Sequence, residues 1–305
     1  MKTKAIIVAL LASASFTAHA QQDPLASQYM FNELPLNPAY AGTRNDPNVT
    51  ATFRKQWANL DGAPVTQTIS YDQKLKQKMG LGIVLLNDKI GVTGQTDFYA
   101  NYAYHLKLGN ALNLSLGLRG GVSNYRANLT KLQVWDQGDA TFSQNIVKKW
   151  LPNFGTGAFL YAEKFYGGIS IPHMLNYDPS TFMHAKLSHV PMTERHYYII
   201  GGAKYDINQK FSFDHSILFK VVPGAPAQLD INTIAYYKKM FGIGISYRTR
   251  DGIVALAQFC SKDKIKIGYA FDYSFSALAN YTNGSHEIML SYNFAKESSP
   301  ASFSK

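Results

Sequence analysis

The sequence predicts an all-β protein: a closed antiparallel outer-membrane β-barrel of about fourteen strands, preceded by an irregular N-terminal segment. Three observations carry that expectation. Hydrophobicity alternates with period two along most of the chain, whereas the 3.6-residue period of amphipathic helices is scarcely found. The long connections between alternating stretches fall on one side and the tightest turns on the other, the asymmetry of an outer-membrane barrel. Aromatic residues make up 13% of the chain, and Trp57, Tyr71, Tyr104, Trp150 and Tyr205 sit near expected strand ends, where a ring meets both lipid and water.

Residues 1–20 read as a secretory leader, with Lys2 and Lys4 as its positive start, residues 5–16 as its apolar core and Ala18-His19-Ala20 as its cleavage site. No cysteine follows that core where a lipoprotein leader needs one, and no later run approaches the ~20 apolar residues of a membrane-crossing helix.

Residues 21–47 form the second element. Tyr29, Met30, Phe31 and Tyr40 lie among Pro24, Pro35 and Pro38. Proline removes a backbone donor and breaks helices, so this stretch is neither a regular helix nor a central strand, yet it is too aromatic for a linker. We expect residues 22–42 to fold into or across the periplasmic mouth, with Tyr29, Phe31 and Tyr40 against small wall residues and Asn32 and Asn37 against polar ones. The competing expectation is an exposed tail that a secretion partner grips.

The barrel occupies residues 48–294. Its clearest strand alternates Leu112, Leu114, Leu116 and Leu118 with Asn113, Ser115, Gly117 and Arg119, so the leucine face is expected to meet lipid. The same criterion places strands at 48–57, 65–72, 79–87, 95–107, 111–123, 153–162, 165–172, 195–205, 210–221, 227–237, 240–248, 252–260, 264–273 and 285–294. An even count puts both ends of the barrel on the periplasmic side, with residues 295–305 as a periplasmic tail. Connections 124–152, 172–194 and 274–284 then face outward, and the tight turns at 108–110, 163–164 and 238–239 face the periplasm. Glycine pairs at 120–121, 167–168 and 201–202, with Gly155, Gly157, Gly242 and Gly244, suit bends or the close approach of another backbone.

Composition narrows the surroundings. The single Cys260 excludes an intramolecular disulfide, so stability must come from burial. Net charge is +10, and without Lys2 and Lys4 it is +8, from 28 basic against 20 acidic residues. That excess suits lipid phosphates, anionic polysaccharide or an acidic protein surface. Export and the lack of any dense Lys/Arg run argue against nucleic acid.

Several stretches resemble the PorP/SprF membrane proteins of the type IX secretion system: DPLASQYMFNELPLNPAYAG after the leader, NDKIG at 87–91, FGTGAFLYAEKFYGGISIPHML at 154–175, IGYAFDYS at 267–274 and GSHEIMLSYNF at 284–294. The resemblance covers essentially the whole mature chain. It implies a non-enzymatic outer-membrane barrel that works with periplasmic or outer-membrane components of the secretion machine. It also implies support for export or surface anchoring of adhesin-like proteins, with gliding motility in some bacteria. Residues 121–150 and 176–195 lie outside it, and what is particular to this chain is expected there. Candidate partner-binding residues are Tyr29, Phe31, Asn37 and Tyr40 in the N-terminal segment, and Trp135, Trp150, Tyr177 and Phe182 in the outer connections. Outer-membrane lipid and lipopolysaccharide are the remaining expected neighbours.

Chemistry-bearing residues give little else. His173, His184, His189 and His196 crowd one outer connection with Asp178 and Glu194, but at no zinc-binding spacing. Trp135-Asp136-Gln137-Gly138-Asp139 offers two carboxylates without the ligand series of a calcium loop. Ser285 beside His286, and Ser170 before His173, would be the elements of a membrane-embedded hydrolase. Strand neighbours point to opposite faces, however, and no Gly-x-Ser-x-Gly elbow is present. No cofactor is expected. The alternative to the secretion role is an outer-membrane porin or small-substrate transporter with its polar faces lining an open lumen.

Overall fold

The structure, a computed structural model, describes residues 24, 26–44, 46–131, 146–176, 194–261 and 264–294. Fourteen strands follow one another: β1 (Asn48–Lys55), β2 (Val65–Lys76), β3 (Met79–Ile90), β4 (Thr93–Lys107), β5 (Asn113–Ala127), β6 (Ile146–Tyr161), β7 (Phe165–Ile171), β8 (Tyr197–Asp206), β9 (Phe211–Val221), β10 (Gln228–Tyr237), β11 (Phe241–Arg248), β12 (Gly252–Ser261), β13 (Ile265–Ser274) and β14 (Ser285–Asn293). Each pairs antiparallel with its sequence neighbours, and β1 pairs β14 from Asn48↔Asn293 to Lys55↔His286, which closes the barrel. Closure pairs the strand edges, as hydrocarbon demands of any spanning sheet.

Period-two alternation fixes which side of each strand faces out. On β5, Leu116 and Leu118 point outward while Ser115 and Arg119 are buried in the lumen. On β4, Phe98, Tyr102 and Tyr104 face out, and Tyr99, Asn101, Ala103 and His105 face in.

The connections 77–78, 108–112, 162–164, 207–210, 238–240 and 262–264 lie on the rim that holds both barrel ends, hereafter the short-turn rim. At the opposite rim β1 leads into β2 through 56–64, β5 into β6, β7 into β8, β9 into β10 through 222–227 and β13 into β14 through 275–284, together with short turns at 91–92 and 249–251.

β2 and β3 run on beyond their expected ends to Lys76 and Ile90, and the largest differences are at β5 and β6. β5 runs on to Ala127 and β6 begins at Ile146, so the connection expected at 124–152 is shorter and its flanks are a paired ribbon, Ser123↔Leu151 to Tyr125↔Lys149 and then Ala127↔Ile146 after a register shift. Pro152 pairs with Val122 within this ribbon. Among the described residues β7 pairs β6 only between Thr156 and Tyr161, so the upper part of β6 is an edge, where proline is tolerated. Trp150 therefore sits on a strand rather than in an outer connection, and the residue is 66% exposed.

Candidate functional site

The lumen holds residues 26–44. Two single-turn 3-10 helices, Tyr29–Phe31 and Pro38–Tyr40, punctuate an otherwise irregular path. Pro38 occupies the first helical position, where its missing N–H costs nothing, and Asn37 caps that turn by accepting from the Ala39 N–H at 2.9 Å. The path begins in the half of the lumen away from the short-turn rim, where Ser27 and Gln28 meet residues near the far ends of β1, β13 and β14. It ends at the short-turn rim, where Ala41 packs on Gly80 and its carbonyl oxygen lies 3.1 Å from His105 Nε2. The segment thus lies inside the barrel, as the expectation of a fold into the mouth has it, and runs deeper than the mouth, along most of the lumen.

Apolar packing along this path builds the interior core. Tyr29, Leu36 and Ala39 cluster with Phe159, Tyr198, Ile200 and Leu218; Phe31 with Ile234, Tyr236, Val254, Leu256, Ala270 and Met289; Leu34 and Ala41 with Val84, Tyr99 and Ala103. Tyr29 is 2% exposed and Leu34 0%. Each such side chain contributes on the order of 1.5–3 kcal/mol by burial.

Polar contacts set the register. The Glu287 carboxylate accepts from two successive backbone N–H groups, Ser27 at 2.7 Å and Gln28 at 2.9 Å. Arg54 donates to Ser27 Oγ at 2.7 Å and to Asp272 Oδ2 at 2.6 Å, and lies 3.4 Å from Glu287 Oε2. Arg248 extends this buried network to Asp230 at 2.8 Å and Asp272 at 3.6 Å. Halfway along, Arg119 donates to the carbonyls of Leu34 (2.5 Å) and Pro35 (2.8 Å), with its Nε held by Asn101 Oδ1 at 2.8 Å. A proline-bearing segment offers more acceptors than donors, and arginine, which only donates, supplies the complement.

Further contacts are side chain to backbone. Asn37 Nδ2 reaches the carbonyls of Ala158 (3.1 Å) and Ile169 (3.4 Å), Ser170 Oγ donates to the Leu36 carbonyl at 2.7 Å, and Asn32 Nδ2 donates to Ser70 Oγ at 2.8 Å. Asn232 Nδ2 donates to the Tyr29 hydroxyl.

The wall is shaped to admit the segment. A Cβ at Gly117 would lie 2.1 Å from the Ala39 nitrogen, one at Gly157 2.1 Å from Asn37 Oδ1, and one at Gly268 2.0 Å from Gln28 Oε1. Gly42 has φ +71° and a Cβ there would meet Gly80 Cα at 2.6 Å, so it needs glycine both for its backbone and for space.

Two cavities flank the segment. One of about 250 Å³ reaches the turn at Ala162, Glu163 and Lys164 on the short-turn rim and is lined by Glu33, Tyr40, Arg44, Tyr166 and Lys204 among others. The second, about 40 Å³, lies beside Pro24, Gln28, Arg54 and Glu287. Burial pushes the Glu33 carboxyl up to about 8, against the opposing pull of the Tyr166 hydroxyl, Arg44 and Lys204. Burial likewise raises the phenols of Tyr29 and Tyr40.

Of the candidate partner-binding residues, Tyr29, Phe31, Asn37 and Tyr40 come together inside the barrel, against its own wall. Trp150 lies on β6, and Trp135, Tyr177 and Phe182 fall outside the described residues. Arg54, Arg119, Asp272 and Glu287 were not singled out, although each sits on the inward phase of an alternating strand, which is the signal that identifies them.

The hydrolase elements do not assemble. Ser285 is buried and accepts from the Trp57 N–H at 3.1 Å, whereas the neighbouring His286 ring meets the Tyr269 hydroxyl at 2.7 Å on the exterior. Ser170 is engaged by the N-terminal segment. Among the described residues no three metal-ligating side chains converge. His196 Nδ1 is 2.9 Å from the Glu194 carbonyl oxygen and His173 packs on Tyr99 with ring centroids 5.1 Å apart. His184, His189, Asp178 and residues 135–139 lie outside the described residues.

Fold and lumen together define a membrane β-barrel whose interior is filled by its own N-terminal segment. Residues 18–292 match the family model described as type IX secretion system membrane protein PorP/SprF, and the chain belongs to that family. No curated protein matches the sequence. Similar solved structures include the CymD monoaromatic hydrocarbon channel, at 10% identity, TM-score 0.47 and coverage of 90% of this chain and 94% of that one. The toluene transporter TbuX of Ralstonia pickettii is similar at 9% identity, TM-score 0.48 and coverage of 87% and 92%. The toluene transporter TodX of P. putida follows at 8%, 0.46, 87% and 94%.

Proposed function

We propose that the chain is an outer-membrane component of the type IX secretion system that supports export or surface anchoring of a partner protein such as an adhesin and, in gliding cells, contributes to motility. The observation that carries this reading is the filled lumen: a segment held by Glu287, Arg54 and Arg119 along most of the barrel suits a protein that works through its surfaces better than one that passes solutes. In this orientation the short-turn rim faces the periplasm and the longer connections face outward. Those connections are the sites of partner choice, since recognition usually resides on loops carried by a rigid scaffold.

The test is export of the candidate surface protein from a deletion strain complemented with this chain, measured beside single-channel conductance of the purified barrel. Restored export with low conductance is expected; conductance of an open porin with unchanged export would establish the porin alternative. Exchange of residues 128–145 and 172–196 with those of a paralogue should transfer substrate choice, and continued export of the original substrate alone would place specificity elsewhere.

A further inference from the structure

Each turn of the short-turn rim, or a strand end beside it, carries a lysine directly followed by an apolar residue. The first three of these pairs are Lys74-Leu75 near the end of β2, Lys107-Leu108 and Lys164-Phe165. The next three are Lys210-Phe211, Lys239-Met240 and Lys264-Ile265. All six apolar partners are exposed, in the turns or at the strand ends beside them. Lys76, Lys78 and Lys238 add to the ring and are exposed. The carboxylates in these turns and at their strand ends are Glu163, Asp263 and Asp206, which lies 3.6 Å from Lys239.

We propose that this rim is a binding ring for anionic phospholipid, with lysines taking headgroup phosphates of the adjoining leaflet and the apolar neighbours entering the acyl region. Two observations favour lipid over an acidic protein. The pairs recur around the whole circumference, as a membrane surface meets a barrel, rather than on one arc. The Lys238 ammonium lies 5.4 Å from the centroid of Tyr237, a ring exposed on the outer wall, so its charge is held toward the bilayer and not toward the lumen. Lys238 and Lys239 also hold left-handed backbone, with φ of 53° and 54°, where glycine or asparagine would be less strained; the turn keeps its charges despite that strain. Lysine near an anionic surface strengthens attachment, and the effect decays within a Debye length. The inference rests on the membrane-barrel fold and is independent of the proposed role in secretion.

The test uses the full barrel in nanodiscs of phosphatidylcholine with or without phosphatidylglycerol, counting retained lipid by native mass spectrometry and following the thermal midpoint. The parent should prefer phosphatidylglycerol, and replacing Lys76, Lys107, Lys164, Lys210 and Lys238 with glutamine should reduce that preference by at least about tenfold, given roughly fivefold per lysine. The corresponding five-arginine variant should retain it, which separates charge from folding. Replacing Lys55, Lys89 and Arg126 on the opposite rim with glutamine should leave it unchanged. Equal retention of both lipids, or an unaltered preference in the five-glutamine variant, would overturn the proposal. A stronger preference for lipid A than for phosphatidylglycerol would overturn the phospholipid assignment, and competition by inorganic phosphate alone would reduce the site to a simple anion patch.

Discussion

Single atoms decide whether the N-terminal segment fits. Gly117 faces the Ala39 nitrogen so closely that even a methyl group would stand 2.1 Å from it, while at Gly120 the nearest atom to an added Cβ is a Phe154 ring carbon at 3.8 Å. Gly117→Ala should therefore loosen the segment and Gly120→Ala should not. Limited proteolysis within residues 27–44 reads the difference, and equal protection in both variants would contradict the close approach. Glu33 supplies a second case. Its carboxyl, raised to about 8 by burial, is protonated in the docked state over a range in which a free glutamate, with its ordinary value of 4.5, is ionised. The undocked state binds fewer protons there, so docking weakens as pH rises from about 4.5 to 8, by at most about 1.4 kcal/mol per pH unit, and levels off above 8. Glu33→Gln should remove most of that slope in protease protection measured between pH 5 and 9; an unchanged slope would assign it to another group.

Among elements, β5 shows most directly how alternation becomes orientation. Leu116 and Leu118 are outward, so Leu116→Arg would place a charge against hydrocarbon and should destabilise the barrel by about 2–4 kcal/mol if it lies near the midplane. Unfolding in bilayers measures this, and parent-like stability would reverse the facing of the strand. The same alternation made the strands legible in the sequence, because lipid and lumen impose opposite demands on successive residues. It was less informative at the top of β5 and β6, where Pro152 and the polar stretch before it resemble a loop although the ribbon pairs as far as Ala127↔Ile146. The aromatic, proline-rich character of residues 24–42 indicated burial without regular structure. The depth of threading was not legible, because it is set by Arg54, Arg119 and Glu287, which are 65 or more residues from one another and meet the segment only once the barrel has closed.

For the whole molecule, barrel and N-terminal segment are one folding unit. All three core clusters that include the segment draw their remaining members from strands distributed around the wall, and Glu287 and Asp272 depend on Ser27 and Gln28 as partners beside Arg54. Removing residues 23–42 should consequently have two linked effects. Ion conductance should rise, because the lumen loses the side chains that fill it, and the thermal midpoint should fall, because Arg54, Asp272 and Glu287 are left buried with fewer partners and the aromatic wall is exposed to water. The strand ladder itself does not run through the segment, so the truncated barrel should still insert. A segment that merely projected from the rim for a partner to hold would behave differently: its loss would abolish co-purification of that partner while conductance and thermal midpoint stayed at the parent values. Measuring conductance and midpoint on the same truncated preparation distinguishes the two, since only a segment seated in the lumen couples pore size to stability.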